Sequence, residues 1–177
     1  MYVLKRVVIK YNIQIKGDDF MNIKPIKLKS LLIFVGATLA AGGIGTLLGG
    51  SAGESYKQLI KPPLSPPAIV FPIVWTLLYT LIGIGAYIIS EEDSKLVPTA
   101  LKLYWTQLVA NILWPLFFWR FELLGVAAAL IVVMIVLTIL LMIVSSKINF
   151  TAVLFFLPYL IWLVFALYLN VGLIVLN

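Results

Sequence analysis

The chain has 177 residues, 63% of them hydrophobic and 11% charged, with a net charge of +6; an ordinary soluble domain is about 45–50% apolar and about 25% charged. A water-soluble fold cannot hide that apolar excess, so the composition predicts an all-α integral membrane protein, its length suiting several spans of about 20 residues each. Cysteine and histidine are absent, which removes disulfides, thiol nucleophiles, the usual zinc and iron–sulfur ligands, the commonest haem ligands and the ordinary neutral-pH acid/base.

The positive charge does not argue for nucleic acid. Seven of the 13 Lys and Arg residues precede the first hydrophobic stretch: Lys5, Arg6, Lys10, Lys16, Lys24, Lys27 and Lys29. A basic flank beside a span is a topology signal, so residues 1–29 read as a basic tail and 30–177 as the membrane domain. The tail with its following span lacks a convincing small-residue signal-peptide cleavage site. Met21 is a second candidate start. Lys16-Gly17-Asp18-Asp19-Phe20 can be encoded by a stretch containing a bacterial ribosome-binding sequence, in which case residues 1–20 are a mis-assigned leader.

Five apolar stretches follow, at roughly 30–50, 68–90, 96–119, 123–146 and 150–175, predicting a five-transmembrane-helix bundle. In the first, Ala37, Ala41, Gly45 and Gly49 recur at spacing four and put small residues on one stripe, for packing within the chain or for a contact between two copies. Lys61-Pro62-Pro63-Leu64-Ser65-Pro66-Pro67 predicts an extended, stiff loop after it. The later connections are short, at 91–95, 120–122 and 145–149, and predict that consecutive helices pack as antiparallel neighbours. The basic tail places the N-terminus in the cytoplasm and the C-terminus outside.

The second span carries Trp75 and Tyr79 one turn apart. The third carries Tyr104, Gln107, Asn111, Trp114 and Phe118 in steps of three and four, and the fifth Pro158, Trp162, Ala166 and Asn170 at spacing four. Amides facing lipid are costly, so the third stripe should turn inward, either as hydrogen-bonded glue between helices or as the wall of a cavity. Tyr104, Trp114 and Trp119 also suit an interfacial belt. Flat aromatic faces with a few amides would hold a planar apolar ligand. No carboxylate or lysine lies centrally in any span, which argues against a proton-coupled exporter. There is no phosphate-binding loop or hydrolytic constellation, and Gly42-Gly43-Ile44-Gly45 reads as helix packing. No metal site and no resident cofactor are expected.

In chain order the motifs are Tyr56-x-x-Leu59-x-Lys61-Pro62-x-x-x-Pro66-Pro67 and Trp75-Thr76-x-Leu78-Tyr79-x-x-x-Gly83-x-Gly85-x-Tyr87. They continue with Val97-Pro98, Gln107-Leu108-x-x-Asn111-x-x-Trp114-Pro115-x-x-Phe118-Trp119 and Pro158-Tyr159-Leu160-x-Trp162-x-x-Phe165-Ala166-x-x-Leu169-Asn170. Over about residues 28–177 this order resembles the translocator protein family, also called tryptophan-rich sensory or peripheral benzodiazepine receptor proteins. The resemblance implies a five-helix bundle, commonly a homodimer, that binds porphyrins such as protoporphyrin IX, or isoquinoline-type ligands, beneath the first loop. It implies a ligand site made of Tyr56, Trp75, Tyr79, Asn111, Trp114, Phe118, Trp162 and Ala166.

Where family members usually carry Trp, this chain has Ser55 and Leu64; Leu130 replaces an acidic residue, the Phe pair reads Phe118-Trp119, and no Lys or Arg follows Tyr168 to complete a sterol motif. The expected role is a receptor, sensor or transporter for porphyrins in a bacterial cytoplasmic membrane. One alternative is light- and oxygen-dependent porphyrin breakdown, with Trp75 and Trp162 as the electron-rich residues. Another is a structural membrane partner without a ligand.

Overall fold

The computed structural model describes residues 26–50 and 58–177. The leader at 1–20, most of the basic tail, Ser55 and the expected ligand residue Tyr56 lie outside the described residues. Five helices follow one another: α1 Leu28–Gly49, α2 Val70–Ser90, α3 Val97–Pro115, α4 Leu124–Ser146 and α5 Phe150–Leu176, with a π-helical turn Leu116–Arg120 continuing α3. There is no strand among the described residues. In hydrocarbon each backbone N–H and C=O must be satisfied within the protein, and a helix does this inside one segment.

Four of these helices, α1, α2, α4 and α5, are long and apolar enough to cross a membrane. The third is interrupted by Lys102, Gln107 and Asn111, so apolarity alone does not mark it as a span. The exterior is apolar on every side, with Leu32, Leu47, Ile73, Val109, Val133 and Ile161 among its exposed residues.

The helices close into a ring. α1 packs on α2 and α3, α4 lies between α3 and α5, and α5 returns to α2. Consecutive helices are therefore neighbours as expected at α3–α4 and α4–α5, but not at α2–α3, which share little surface. A short connection ties only one end of a helix pair. Here α1 and α5 occupy the flanks of α2, so α2 and α3 face each other across the interior.

Two glycine edges allow the ring to close. A Cβ on Gly83 would lie 2.6 Å from Val35 Cα of α1, and one on Gly49 would lie 2.8 Å from Pro115 O of α3. Gly45 similarly faces Asn111 O and Ile112 Cα. Ala41, Gly45 and Gly49 are buried, so this stripe serves packing within the chain.

Each end of the bundle has its own polar fastening. At one, Lys27 Nζ sits 2.8 Å from Glu91 Oε2, and the backbone N–H of Lys27 donates to Tyr87 OH at 3.0 Å. The hydrogen bond and charge of Glu91 hold the Lys27 pKa above its ordinary value. Asn149 joins the same end, donating to Glu92 Oε1 at 2.7 Å while its own Oδ1 caps α5 through Thr151 N.

At the other end the Pro-rich loop is not extended throughout. It turns at Pro62–Ser65, where Ser65 Oγ donates to Pro62 O at 2.7 Å and Leu64 takes a left-handed φ of 65°. α5 grips this loop through Tyr168 OH, which donates to Pro63 O at 2.7 Å. The Asn177 side chain pairs with both Ile60 N at 2.9 Å and Ile60 O at 3.1 Å.

Gly83→Ala should lower stability by about 1–3 kcal/mol, since its methyl meets backbone that cannot step aside. Gly43→Ala, whose Cβ would meet nothing within 4 Å, should be neutral or stabilising by up to about 1 kcal/mol. Thermal unfolding in one detergent compares the two; equal responses would contradict the α1–α2 contact.

Candidate functional site

The gap between α2 and α3 is filled by aromatic rings centred on Trp75. Its ring lies 5.3 Å from Tyr79, 6.3 Å from Trp114, 6.3 Å from Tyr159 and 6.4 Å from Trp162, centroid to centroid. The contacts with Tyr159 and Trp162 are edge-to-face, a favoured aromatic geometry. Trp114 in turn stacks on Phe118 at 4.7 Å.

The rings leave two spaces. The larger, about 280 Å³, is lined by Gly42 and Thr46 of α1, Phe71, Trp75 and Tyr79 of α2, and Asn111, Trp114 and Trp119 from α3 and its π turn, among others. The smaller, about 30 Å³, lies toward α5, where Trp162, Ala166, Asn170 and Leu173 meet Phe118. Phe71, Trp75, Trp114 and Trp119 line both, so these four rings are the partition. No charged side chain lines either space.

Local sequence explains the third-helix wall. Pro115 has no N–H to give the Asn111 carbonyl, and the helix then widens into the π turn. There Phe121 N donates to Leu116 O at 3.1 Å. Bonding at i→i+5 carries more residues per turn than the α-helix, and both Phe118 and Trp119 reach the aromatic interior. The turn ends at Glu122, at φ 55°, where Leu123 N donates to Phe117 O at 2.9 Å and releases the chain into α4.

Asn111 is the polar feature of the floor. Its Nδ2 donates to Gln107 O at 3.0 Å and to Tyr159 OH at 2.9 Å. The Tyr159 hydroxyl also lies 3.1 Å from Asn111 Oδ1 and 3.7 Å from Met134 Sδ. Both readings of the third stripe are therefore present in one residue: Asn111 bonds across to α5 and lines the larger cavity. Tyr104 plays only the gluing part, since its hydroxyl pairs with Thr38 Oγ1 at 2.9 Å and donates to Phe34 O at 3.2 Å.

Trp75, Tyr79, Asn111 and Trp114 thus meet around the larger space, and Trp75, Trp114, Phe118, Trp162 and Ala166 around the smaller. Tyr56 lies outside the described residues. Pro158, which begins the fifth-helix stripe, is exposed, while Tyr159 beside it is buried. Sequence reasoning missed Phe71, Tyr159, Gly42 and the inward turn of Trp119. Phe71 stands one turn before Trp75 and was detectable by the same spacing. Gly42 was not: its importance is that a Cβ there would collide with the Tyr79 ring.

Asn111→Leu and Tyr159→Phe should each cost about 0.6–2 kcal/mol, the range for hydrogen bonds between membrane helices. The double variant should cost less than their sum, because one bond is shared. A double-mutant cycle by thermal unfolding measures this, and strict additivity would contradict the pair.

The sequence matches the TspO/MBR family over residues 34–176. It is 34% identical over 139 residues to a tryptophan-rich sensory protein of Cereibacter sphaeroides, covering 78% of this chain and 85% of that one. It is 34% identical over 158 residues to tryptophan-rich protein TspO of Archaeoglobus fulgidus, covering 86% and 99%. With the sheep (Ovis aries) translocator protein the identity is 32% over 143 residues, covering 77% and 85%. Matched over most of its length, aromatic interior included, the chain belongs to the TspO/MBR family of membrane proteins.

Proposed function

We propose that this protein is a membrane receptor for porphyrins or related flat, apolar molecules, bound in the aromatic chamber between α2 and α3. The observation that carries this reading is the Trp75-centred ring cluster bordering a space of about 280 Å³. Such a space sits just below the range of about 300–1,000 Å³ typical of small-molecule pockets. A bicyclic ligand suits the larger cavity as it stands. A tetrapyrrole requires the partition rings to rotate so that the two spaces join.

The setting follows from the two ends of the bundle. All five helices span a bacterial cytoplasmic membrane, α3 included, because its amides turn inward to Tyr159 and the chamber rather than to lipid. The end fastened by Lys27 and Glu91 faces the cytoplasm with the basic tail, and the chamber lies in the outer half under the Pro-rich loop. Two copies pair as a homodimer through a surface other than the Gly45–Gly49 edge, which α3 already covers.

Protoporphyrin IX should quench tryptophan fluorescence saturably in reconstituted protein. Trp75→Phe/Trp162→Phe should weaken binding about tenfold or more, the scale of two lost aromatic contacts. A folded, monodisperse wild type without saturable quenching would overturn the reading. Bleaching of the porphyrin band under light, rather than a shift, would favour breakdown over reception.

A further inference from the structure

The smaller compartment contains buried polar groups with nothing to bond. Asn170 is 1% exposed, and neither its Nδ2 nor its Oδ1 has a hydrogen-bond partner; the same holds for Trp114 Nε1 and Trp162 Nε1. All three side chains line the space of about 30 Å³. Buried polar groups are ordinarily paired, and an unpaired one costs free energy in a medium that cannot solvate it. Asn111, by contrast, is fully engaged with Tyr159 and Gln107. Two amides of the same kind therefore have different tasks, one fastening helices and the other idle in a cavity wall.

The size and charge of the space define what satisfies Asn170. The compartment is about 30 Å³ against about 280 Å³ for its neighbour, so it suits a terminal functional group better than a macrocycle. An amide side chain offers a donor and an acceptor side by side, and the two indoles add donors. With no cation on the wall, an ionised carboxylate entering here would be desolvated without a counter-charge. An ester would accept from Nδ2 and leave Oδ1 unpaired. A carboxamide, a lactam or an undissociated carboxyl group presents both halves and closes a cyclic pair with Asn170.

Resting on the reading of the chamber as a ligand site, we infer that Asn170 is its specificity-determining anchor, selecting flat apolar ligands that carry a neutral donor–acceptor group. With the partition rings rotated so that the two spaces join, the macrocycle lies against Trp75 and Trp114 and its head group reaches Asn170.

The test compares two probes with the same macrocycle, the diamide and the dimethyl ester of protoporphyrin IX, by fluorescence quenching of reconstituted protein. The wild type should bind the diamide about tenfold more tightly, the scale of one buried hydrogen-bonding mismatch. Asn170→Leu should abolish that preference and leave ester affinity within about twofold, since losing the bond from Nδ2 is offset by losing the unpaired Oδ1. The ligand-free variant should melt no lower than wild type, because an unpaired amide has been replaced by an apolar group of similar shape.

Equal affinity of the wild type for both probes overturns the anchor while leaving the chamber's role intact, and it needs no variant. A lower melting temperature for Asn170→Leu with the preference unchanged also overturns it and assigns the amide to packing. Binding of neither probe overturns both the anchor and the chamber.

Discussion

Close approach of α1 to both of its neighbours is the constraint on which the rest of this structure depends. Lipid tails are as apolar as the side chains they meet, so helices in a bilayer associate by packing and hydrogen bonds rather than by hiding apolar surface from water. Gly83 brings α2 within a methyl's width of α1, and Gly45 and Gly49 do the same for α3. With α1 drawn in on both sides, α2 and α3 are held to the same helix while sharing little surface with each other. The space between them is then set by rings instead of by backbone, and Trp75, Trp114 and Tyr79 fill it incompletely.

The third helix reconciles two demands. Its amides would be costly toward lipid, yet Gln107 and Asn111 are 1% and 2% exposed because the ring turns them inward, where Asn111 bonds to Tyr159. Further along, Pro115 breaks the α register, and the π turn presents Phe118 and Trp119 to the compartments. A departure from regular helix thus occurs where the aromatic compartments are lined, and π bulges are frequent at functional sites. Its irregular backbone is buried against α1 through Gly49 and Pro115, the condition under which a membrane tolerates it.

Polar groups are distributed unevenly between the ends and the interior. The Lys27–Glu91 and Asn149–Glu92 contacts close one end, and the Tyr168 and Asn177 contacts hold the Pro-rich loop at the other. Between them most buried polar side chains are paired: Thr38 with Tyr104, Asn111 with Tyr159, Thr138 and Ser145 with carbonyls one turn back. Gln107 and Asn170 break that pattern, and of the two Asn170 does so on the wall of a compartment.

The sequence by itself determined the number of helices, their extents to within a few residues and the inward face of α3, because apolar length and the 3.6-residue period are local properties. It also carried the order of motifs by which the family is recognised. Tertiary structure decided what spacing alone left open. The Ala41–Gly49 stripe could meet another chain or α3, and the position of Pro115 opposite Gly45 and Gly49 settles it. The separation of α2 and α3 was invisible in their short connection, since a loop fixes one end of a pair while neighbours fix the rest. Trp119 and Tyr159 joined the site, and Pro158 of the fifth-helix stripe turned outward, because a π turn and helix rotation shift side chains by amounts that an ideal period does not contain. Asn111 and Asn170 look alike as letters at helical spacing; only the neighbours brought by folding make one a fastening and leave the other's hydrogen bonds unmade.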